Sequence, residues 1–231
     1  MSYDYDSLSD FYDRFNEEPD YERYWKRAVE KFGLPQTGLA LDCGCGTGTL
    51  LLHLCNKGYD CTGTDVSPAM LQKAEEKLPG AGYLPHLVCQ DLTELDLFGG
   101  YDAVFCTLDT VNHLQKRDLA RFFRKLYNFV EPGGVFVFDA KTKEGFRRTE
   151  GTRVCDDGKD FLCIQGDFTG KYAFYRFTMF HDGERADEDV EERFYEPEEF
   201  RKLLEQAGFR WLGKVAYGKD RNLYGAKRER V

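Results

Sequence analysis

The chain has 231 residues, a length that suits one α/β domain carrying an insertion. Hydrophobic residues make up 42% and aromatics 15%, which excludes a disordered chain and supplies a sizeable core. A formal net charge of -9 repels phosphate backbones and argues against large structured RNA or DNA as a partner.

Residues 1–19 are rich in Tyr, Phe and Asp, with weak periodicity. From Asp20 the spacing of Tyr21, Tyr24, Trp25, Ala28, Val29 and Phe32 gives one apolar helix face, stopped by Gly33 and Pro35. An alternation of strands and helices follows. Gly38–Asp42 is an apolar strand ending in an acid, and Thr47–Lys57 a Leu-rich helix ending at Gly58. Asp60–Asp65 is a second strand, also ending in an acid. Ser67 and Pro68 cap and open the next helix. Tyr83–Gln90 is a third strand and Tyr101–Thr107 a fourth, apolar throughout as a strand covered on both faces should be. Residues 116–130 read as a helix, broken by Glu131-Pro132-Gly133-Gly134 before a fifth strand, Val135–Asp139. This order predicts a parallel sheet with helices on both faces.

After about residue 150 the rhythm changes. Phe161–Phe168, Tyr172–Phe180 and Val190–Tyr195 alternate like antiparallel strands, between turn signals at Asp157-Gly158, Thr169-Gly170 and Asp182-Gly183. A helix from Pro197 to Ala207 and two strands, Phe209–Tyr217 and Asn222–Lys227, close the chain. The expected organisation is therefore a main domain of residues 1–148 and 196–231, with 1–35 as a helical lid. Residues 149–195 form a β insertion that caps an acceptor site.

The sequence opens without a basic stretch or an apolar signal-like core, and no window nears the ~20 apolar residues of a membrane span. A cytoplasmic location with eight reduced cysteines is expected, with Cys61, Cys89 and Cys106 as small buried hydrophobes. Cys43 and Cys45 have His53 and Cys55 downstream but no second half of zinc spacing, so no metal is expected.

The strongest signal is Leu41-Asp42-Cys43-Gly44-Cys45-Gly46-Thr47-Gly48. Three alternate glycines between a strand and a helix let bare backbone turn and approach a ligand. The crevice for that ligand lies at the carboxyl ends of the strands. Asp65, 21 positions beyond Gly44 and ending the next strand, suits the two hydroxyls of a ribose. Asp91 either meets an adenine edge or is a turn acid. The spacing is G-x-G-x-G, not the G-x-G-x-x-G of dinucleotide sites. Asp42 beside the loop would repel a pyrophosphate and suit the ammonium of a methionine moiety, which counts against a nicotinamide-dependent oxidoreductase.

These features resemble the class I S-adenosyl-L-methionine (SAM) dependent methyltransferases: LALDCGCGTG (39–48), Asp65 in TGTDVSPAML, the Asp91-Leu92 step and LYNFVEPGGVFVFD (126–139). The resemblance implies a Rossmann-like sheet of order 3-2-1-4-5-7-6 with strand 7 antiparallel, and SAM as cofactor. It implies that Asp42, Gly44, Cys45, Gly46 and Thr47 line the methionine part and Asp65 the ribose. Val66 and Met70 then flank the adenine, Asp91 and Leu92 meet its edge, and Cys106 lies beside the sulfonium. The insertion is similar in architecture to that of small-molecule methyltransferases such as glycine N-methyltransferase.

Methyl transfer from a sulfonium is an in-line displacement that asks the protein mainly to position the reactants and exclude water. Thr107–His113 follows the fourth strand, so Asp109, Asn112 and His113 are candidates for the acceptor side. Asn112 and His113 equally suit helix caps. His113, with a pKa near neutrality, is the candidate base, with Asp109 beside it. Tyr12 and Tyr21 are candidates for a lid over cofactor and acceptor, or for ordinary helix packing. In the insertion, Arg176 is the candidate for recognising an acceptor carboxylate, or else a partner of the acidic run Glu184–Glu192. The expected activity is methylation of an O or N atom of a small molecule or short peptide. A SAM-binding protein without catalysis is the alternative.

Overall fold

Short apolar runs ending in an acid, each followed by an amphipathic helix, fold here into a parallel sheet with a helix layer on either face. A computed structural model describes residues 9, 19–181 and 183–230. Helix α1 (Tyr21–Phe32) starts where Asp20 accepts the Arg23 N–H at 2.9 Å, and it stops where Gly33 turns left-handed. The chain then runs through β1 (Gly38–Cys43), α2 (Thr49–Asn56), β2 (Tyr59–Asp65), α3 (Pro68–Gly80), β3 (His86–Cys89) and β4 (Tyr101–Cys106). It continues through α4 (Lys116–Tyr127), β5 (Val130–Lys141) and a short α5 (Lys143–Arg147). Four strands follow: β6 (Gly151–Asp156), β7 (Phe161–Phe168), β8 (Tyr172–His181) and β9 (Glu184–Arg193). Helix α6 (Pro197–Ala207), β10 (Arg210–Tyr217) and β11 (Arg221–Lys227) end it.

The seven-stranded sheet has the order β3-β2-β1-β4-β5-β11-β10. Strands β1 to β5 pair in parallel, and β11 lies antiparallel between β5 and β10. With β10 and β11 as its sixth and seventh strands, this is the expected Rossmann-like topology. The direction of winding reverses between β1 and β4, which puts the ligand crevice at their carboxyl ends.

Strand β5 shows how the two layers form. Its Val135 and Val137 join α1 and α2 on one face, with Tyr24, Ala28, Phe32, Leu51 and Leu54. Its Phe136 and Phe138 join α4 and α6 on the other, with Phe122, Phe123, Phe200 and Tyr224. Each fully buried Phe contributes roughly 2–3 kcal/mol of transfer free energy. The second sheet is antiparallel, in the order β6-β7-β8-β9.

Two boundaries differ from the sequence reading. Strand β5 begins at Val130, before the Glu131–Gly134 segment that reads as a break. Tyr101 pairs with Val130 and Ala103 with Val135, so two positions on β4 span five on β5. The extra residues bulge where Pro132 has no N–H to give and Gly133 takes φ 95°. The insertion has four strands, not three. Strand β6 is an edge strand with almost every residue exposed, and β9 starts at Glu184 with charged residues on its open face. Neither shows the apolar alternation that reveals a half-buried strand.

Candidate functional site

The turn after β1 is built from main chain. Gly44, Gly46 and Gly48 all have positive φ, at 74°, 52° and 79°. The N–H groups of Gly44 and Cys45 both donate to the Thr64 carbonyl, at 2.8 and 2.9 Å, which ties the loop to β2. A Cβ on Gly44 would stand 2.6 Å from Cγ2 of Thr110, so no side chain fits there. A Cβ on Gly46 would meet nothing within 4 Å, so its backbone is open to a ligand on that side. The Gly46 N–H donates to Asp65 at 2.8 Å, and the Ser67 N–H donates to the other Asp65 oxygen at 2.9 Å. The carboxylate that ends β2 thus holds the loop that follows β1.

Asp42 ends β1 at 1% exposure, and neither of its carboxylate oxygens has a hydrogen-bond partner among the described residues. Burial, with Asp65 adding to it, pushes this carboxyl up to about 8. A buried acid without donors is costly unless a cation meets it. The ammonium of a methionine moiety is such a cation, so this position fits the implied cofactor. Tyr24 on α1 is 2% exposed, and its hydroxyl is likewise without a partner among those residues. Burial raises that phenol, and Asp139, Cys106 and Asp42 raise it further, which places all three within its electrostatic reach. Cys106 is fully buried.

Beyond Asp65 the chain turns apolar. Val66 is 46% exposed although large and hydrophobic, Met70 is buried in the first turn of α3, and Leu92 is buried just after β3. Asp91 is exposed and accepts the Thr93 N–H at 2.7 Å, so one of its oxygens serves as the turn acid. Thr47 is buried, and Lys77 donates to its hydroxyl at 3.0 Å. Cys45 offers its backbone only. Its Sγ packs 2.9 Å from where a Gly63 Cβ would stand, on the interior side.

Next to the loop, at the ends of β4 and β5, lies a buried charge network. Asp109, 6% exposed, receives Lys141 at 3.2 Å and Arg221 at 3.1 Å. Burial raises the Asp109 carboxyl, but Lys141 and Arg221 outweigh it and hold the group below its ordinary value. Lys141 also reaches both Glu192 oxygens, at 2.8 and 2.7 Å, and lies over the Tyr175 ring at 5.3 Å. His113 points Nε2 at Glu192 across 3.8 Å. Burial lowers its pKa against the pull of Glu192, which keeps the imidazole neutral near pH 7. Asn112 is fully buried, donates to the Arg193 carbonyl at 2.7 Å and accepts the Lys141 N–H at 3.1 Å. It stitches β5 and β9 together.

The structure therefore brings Asp109, Asn112 and His113 together and adds five residues the sequence reading missed: Tyr24, Asp139, Lys141, Glu192 and Arg221. No local signal marks them, because each reads as a strand-end or helix-face residue. Of the two readings of Arg176, the structure shows the pairing with the acidic run. It forms a bidentate pair with Asp189 at 2.7 Å on an exposed surface. It alternates with Tyr175, so the two face opposite sides of β8. Tyr175, not Arg176, reaches the buried network. Tyr21 is buried in the α1–α2 layer, 6.4 Å ring to ring from His53. Tyr12 lies outside the described residues.

The chain as a whole is similar to known proteins. A family model described as a methyltransferase domain covers residues 40–134, from β1 into β5. YqeM of Bacillus subtilis (strain 168), named as a methyltransferase, is 30% identical over 220 residues, which span 89% of this chain and 86% of that protein. A glycine/sarcosine N-methyltransferase of Halorhodospira halochloris is 29% identical over 144 residues, covering 61% of this chain and 52% of that one. The crystal structure of a SAM-dependent methyltransferase from Clostridium acetobutylicum ATCC 824 is 29% identical, with a TM-score of 0.83, over 97% of this chain and 99% of that one.

Proposed function

The chain belongs to the class I SAM-dependent methyltransferases, and from that premise we propose that it methylates a nitrogen or oxygen atom of a small molecule or short peptide. The observation that carries this reading is the buried Asp42 carboxyl at the switch point, without a hydrogen-bond partner among the described residues and beside the open backbone of Gly46. Asp42 and the glycine loop would hold the methionine end, Asp65 the ribose, and Val66, Met70, Asp91 and Leu92 the adenine. When bound, SAM supplies a methyl group already activated on a sulfonium.

What remains for the protein is to bind, orient and deprotonate the acceptor. His113 is neutral and half-buried, so it can take the proton from an acceptor N–H or O–H. Glu192 faces the same ring and steadies the charge it gains, and Lys141 fixes Glu192. Residues 149–195 act as a cap over the acceptor: Glu192 and Tyr175 reach the network from β9 and β8, closing it against water. A relative named for glycine and sarcosine supports a small amine among the acceptor classes. The pairing of Arg176 with Asp189 takes that arginine out of the case for a carboxylate-bearing one. No helix of the described residues is long and apolar enough to cross a membrane.

The test is release of S-adenosylhomocysteine from SAM in the presence of panels of small amines, alcohols, amino acids and short peptides. Turnover is expected with one of these classes. His113→Ala should slow it by about 10²–10⁴-fold while leaving S-adenosylhomocysteine affinity intact. Turnover on macromolecules alone, or a His113→Ala enzyme with the wild-type rate, contradicts the reading.

A further inference from the structure

The turn that leaves β4 is the strained point of the fold. Among the described residues, Leu108 and Asp109 are the only non-glycine positions with positive φ, at 55° and 65°, and they are consecutive. L-residues seldom enter that region, and a branched-chain residue such as Leu has no side-chain hydrogen bond to offset the cost. Something must hold them there. The Leu108 N–H donates to one oxygen of Asp139 and the Asp109 N–H to the other, each at 3.1 Å. Arg221, on β11, donates to Asp139 at 2.9 Å and, through its other terminal nitrogen, to the Asp109 carboxylate at 3.1 Å. Asp139 is 1% exposed, so this cradle is shielded from water.

The turn delivers two sets of residues. Thr110 follows directly and fills the space that Gly44 leaves on the cofactor side. Asn112 and His113 end the same 3-10 turn on the acceptor side, tied to β9 by the Asn112–Arg193 bond and facing Glu192. Relaxation of Leu108 and Asp109 to ordinary φ values would pull Thr110 from Gly44 and His113 from Glu192 in one movement.

We propose that Asp139 and Arg221 are positioning residues: a carboxylate–guanidinium clamp that imposes a left-handed turn on Leu108-Asp109 and thereby sets the cofactor wall and the acceptor base relative to each other. The clamp rests on the reading that this edge binds SAM, but its geometry can be tested separately. Neither residue needs to touch a ligand to act.

Amide hydrogen exchange of residues 107–113 and calorimetric affinity for S-adenosylhomocysteine should be measured for wild type, Asp139→Asn, Arg221→Lys, Leu108→Gly and the double variants Leu108→Gly/Asp139→Asn and Leu108→Gly/Arg221→Lys. Each clamp variant should speed exchange in this segment and weaken S-adenosylhomocysteine by about tenfold. Leu108→Gly alone should change affinity by less than about threefold, since glycine takes the left-handed region freely. In either clamp-variant background it should recover most of the lost affinity, which a general loss of packing would not permit. If Asp139→Asn does not fold, Arg221→Lys and its double variant decide the matter. Wild-type exchange and affinity in the clamp variants, or no recovery with Leu108→Gly, overturns the proposal. A wild-type protein that fails to bind S-adenosylhomocysteine would sink the cofactor reading, and the exchange rates would still decide the clamp.

Discussion

The cofactor side and the acceptor side of this site are built by different physics. The cofactor side is backbone: residues 42–48 and 65–67 lie at the ends of two adjacent parallel strands and in the turns that follow them, and their essential contacts are N–H groups on Thr64 and Asp65. The acceptor side is charge: Asp109, Asp139, Lys141, Glu192 and Arg221 come from four elements, and one ion pair joins residues 112 positions apart. A site made of main chain must be written in consecutive residues, because backbone geometry depends on local φ and ψ. A site made of side chains can be gathered by topology from anywhere in the chain.

Breaking the charged half should cost the most stability. Lys141→Met leaves Glu192 and Asp109 without the cation they share. Removing one partner of a buried network costs about 3–5 kcal/mol. For a chain of this size that lowers Tm by roughly 6–20 °C, readable by thermal denaturation. A Tm within 2 °C of wild type, about the least that 1 kcal/mol gives in such a chain, would mean the network is not a buried unit.

The backbone half carries its own titration. Asp42 has its carboxyl pushed up to about 8 by burial, against 3.8 for a free side chain. Between those values the folded protein keeps a proton that the unfolded chain releases. The contribution of Asp42 to stability therefore falls as pH rises from about 4 to about 8, by at most about 1.4 kcal/mol per unit. Asp42→Asn keeps the group neutral and should flatten that part of the slope in urea midpoints taken at pH 5 and pH 8. An ammonium prefers the ionised acid, so wild-type affinity for SAM should climb between pH 6 and pH 8, and that of Asp42→Asn should not. Equal pH profiles would remove Asp42 from the cofactor site.

The smallest effect belongs to Arg176→Ala. Its pair with Asp189 is exposed and outside both halves, so its loss should leave thermal stability and S-adenosylhomocysteine affinity at wild-type values. A larger effect on turnover would return Arg176 to the acceptor side.

Legibility in the sequence follows the same division. The strand–helix alternation, the glycine loop and the strand-end place of Asp65 could be read because strand ends, alternate glycines and a following helix are local signals, whereas the sheet order came only with the family resemblance. The Asp109–His113 segment could be placed at the functional edge, since it follows a buried strand. Tyr24 could not be separated from its helix face, because Tyr21 and Phe32 share the same spacing. Lys141 and Arg221 end strands that become neighbours only when β11 inserts antiparallel between β5 and β10. Glu192 lies in an acidic run whose other members have different partners, Asp189 pairing with Arg176, Asp187 with Arg185 and Glu191 accepting from Gln115, so nothing in the run singles it out. The two readings of Arg176 could not be separated in the sequence, because only the strand register shows that Asp189 of the acidic run lies across from it.

The central claim is that bare backbone at Gly46, held by the Asp65 carboxylate, binds the adenosyl-methionine unit. Calorimetric titration of S-adenosylhomocysteine into wild type and Asp65→Ala tests it most directly. The account predicts one saturable site in wild type and an affinity about 100-fold weaker in the variant, equivalent to about 2.7 kcal/mol from charge-assisted hydrogen bonds. No binding heat in wild type, or equal affinity in the two proteins, contradicts it.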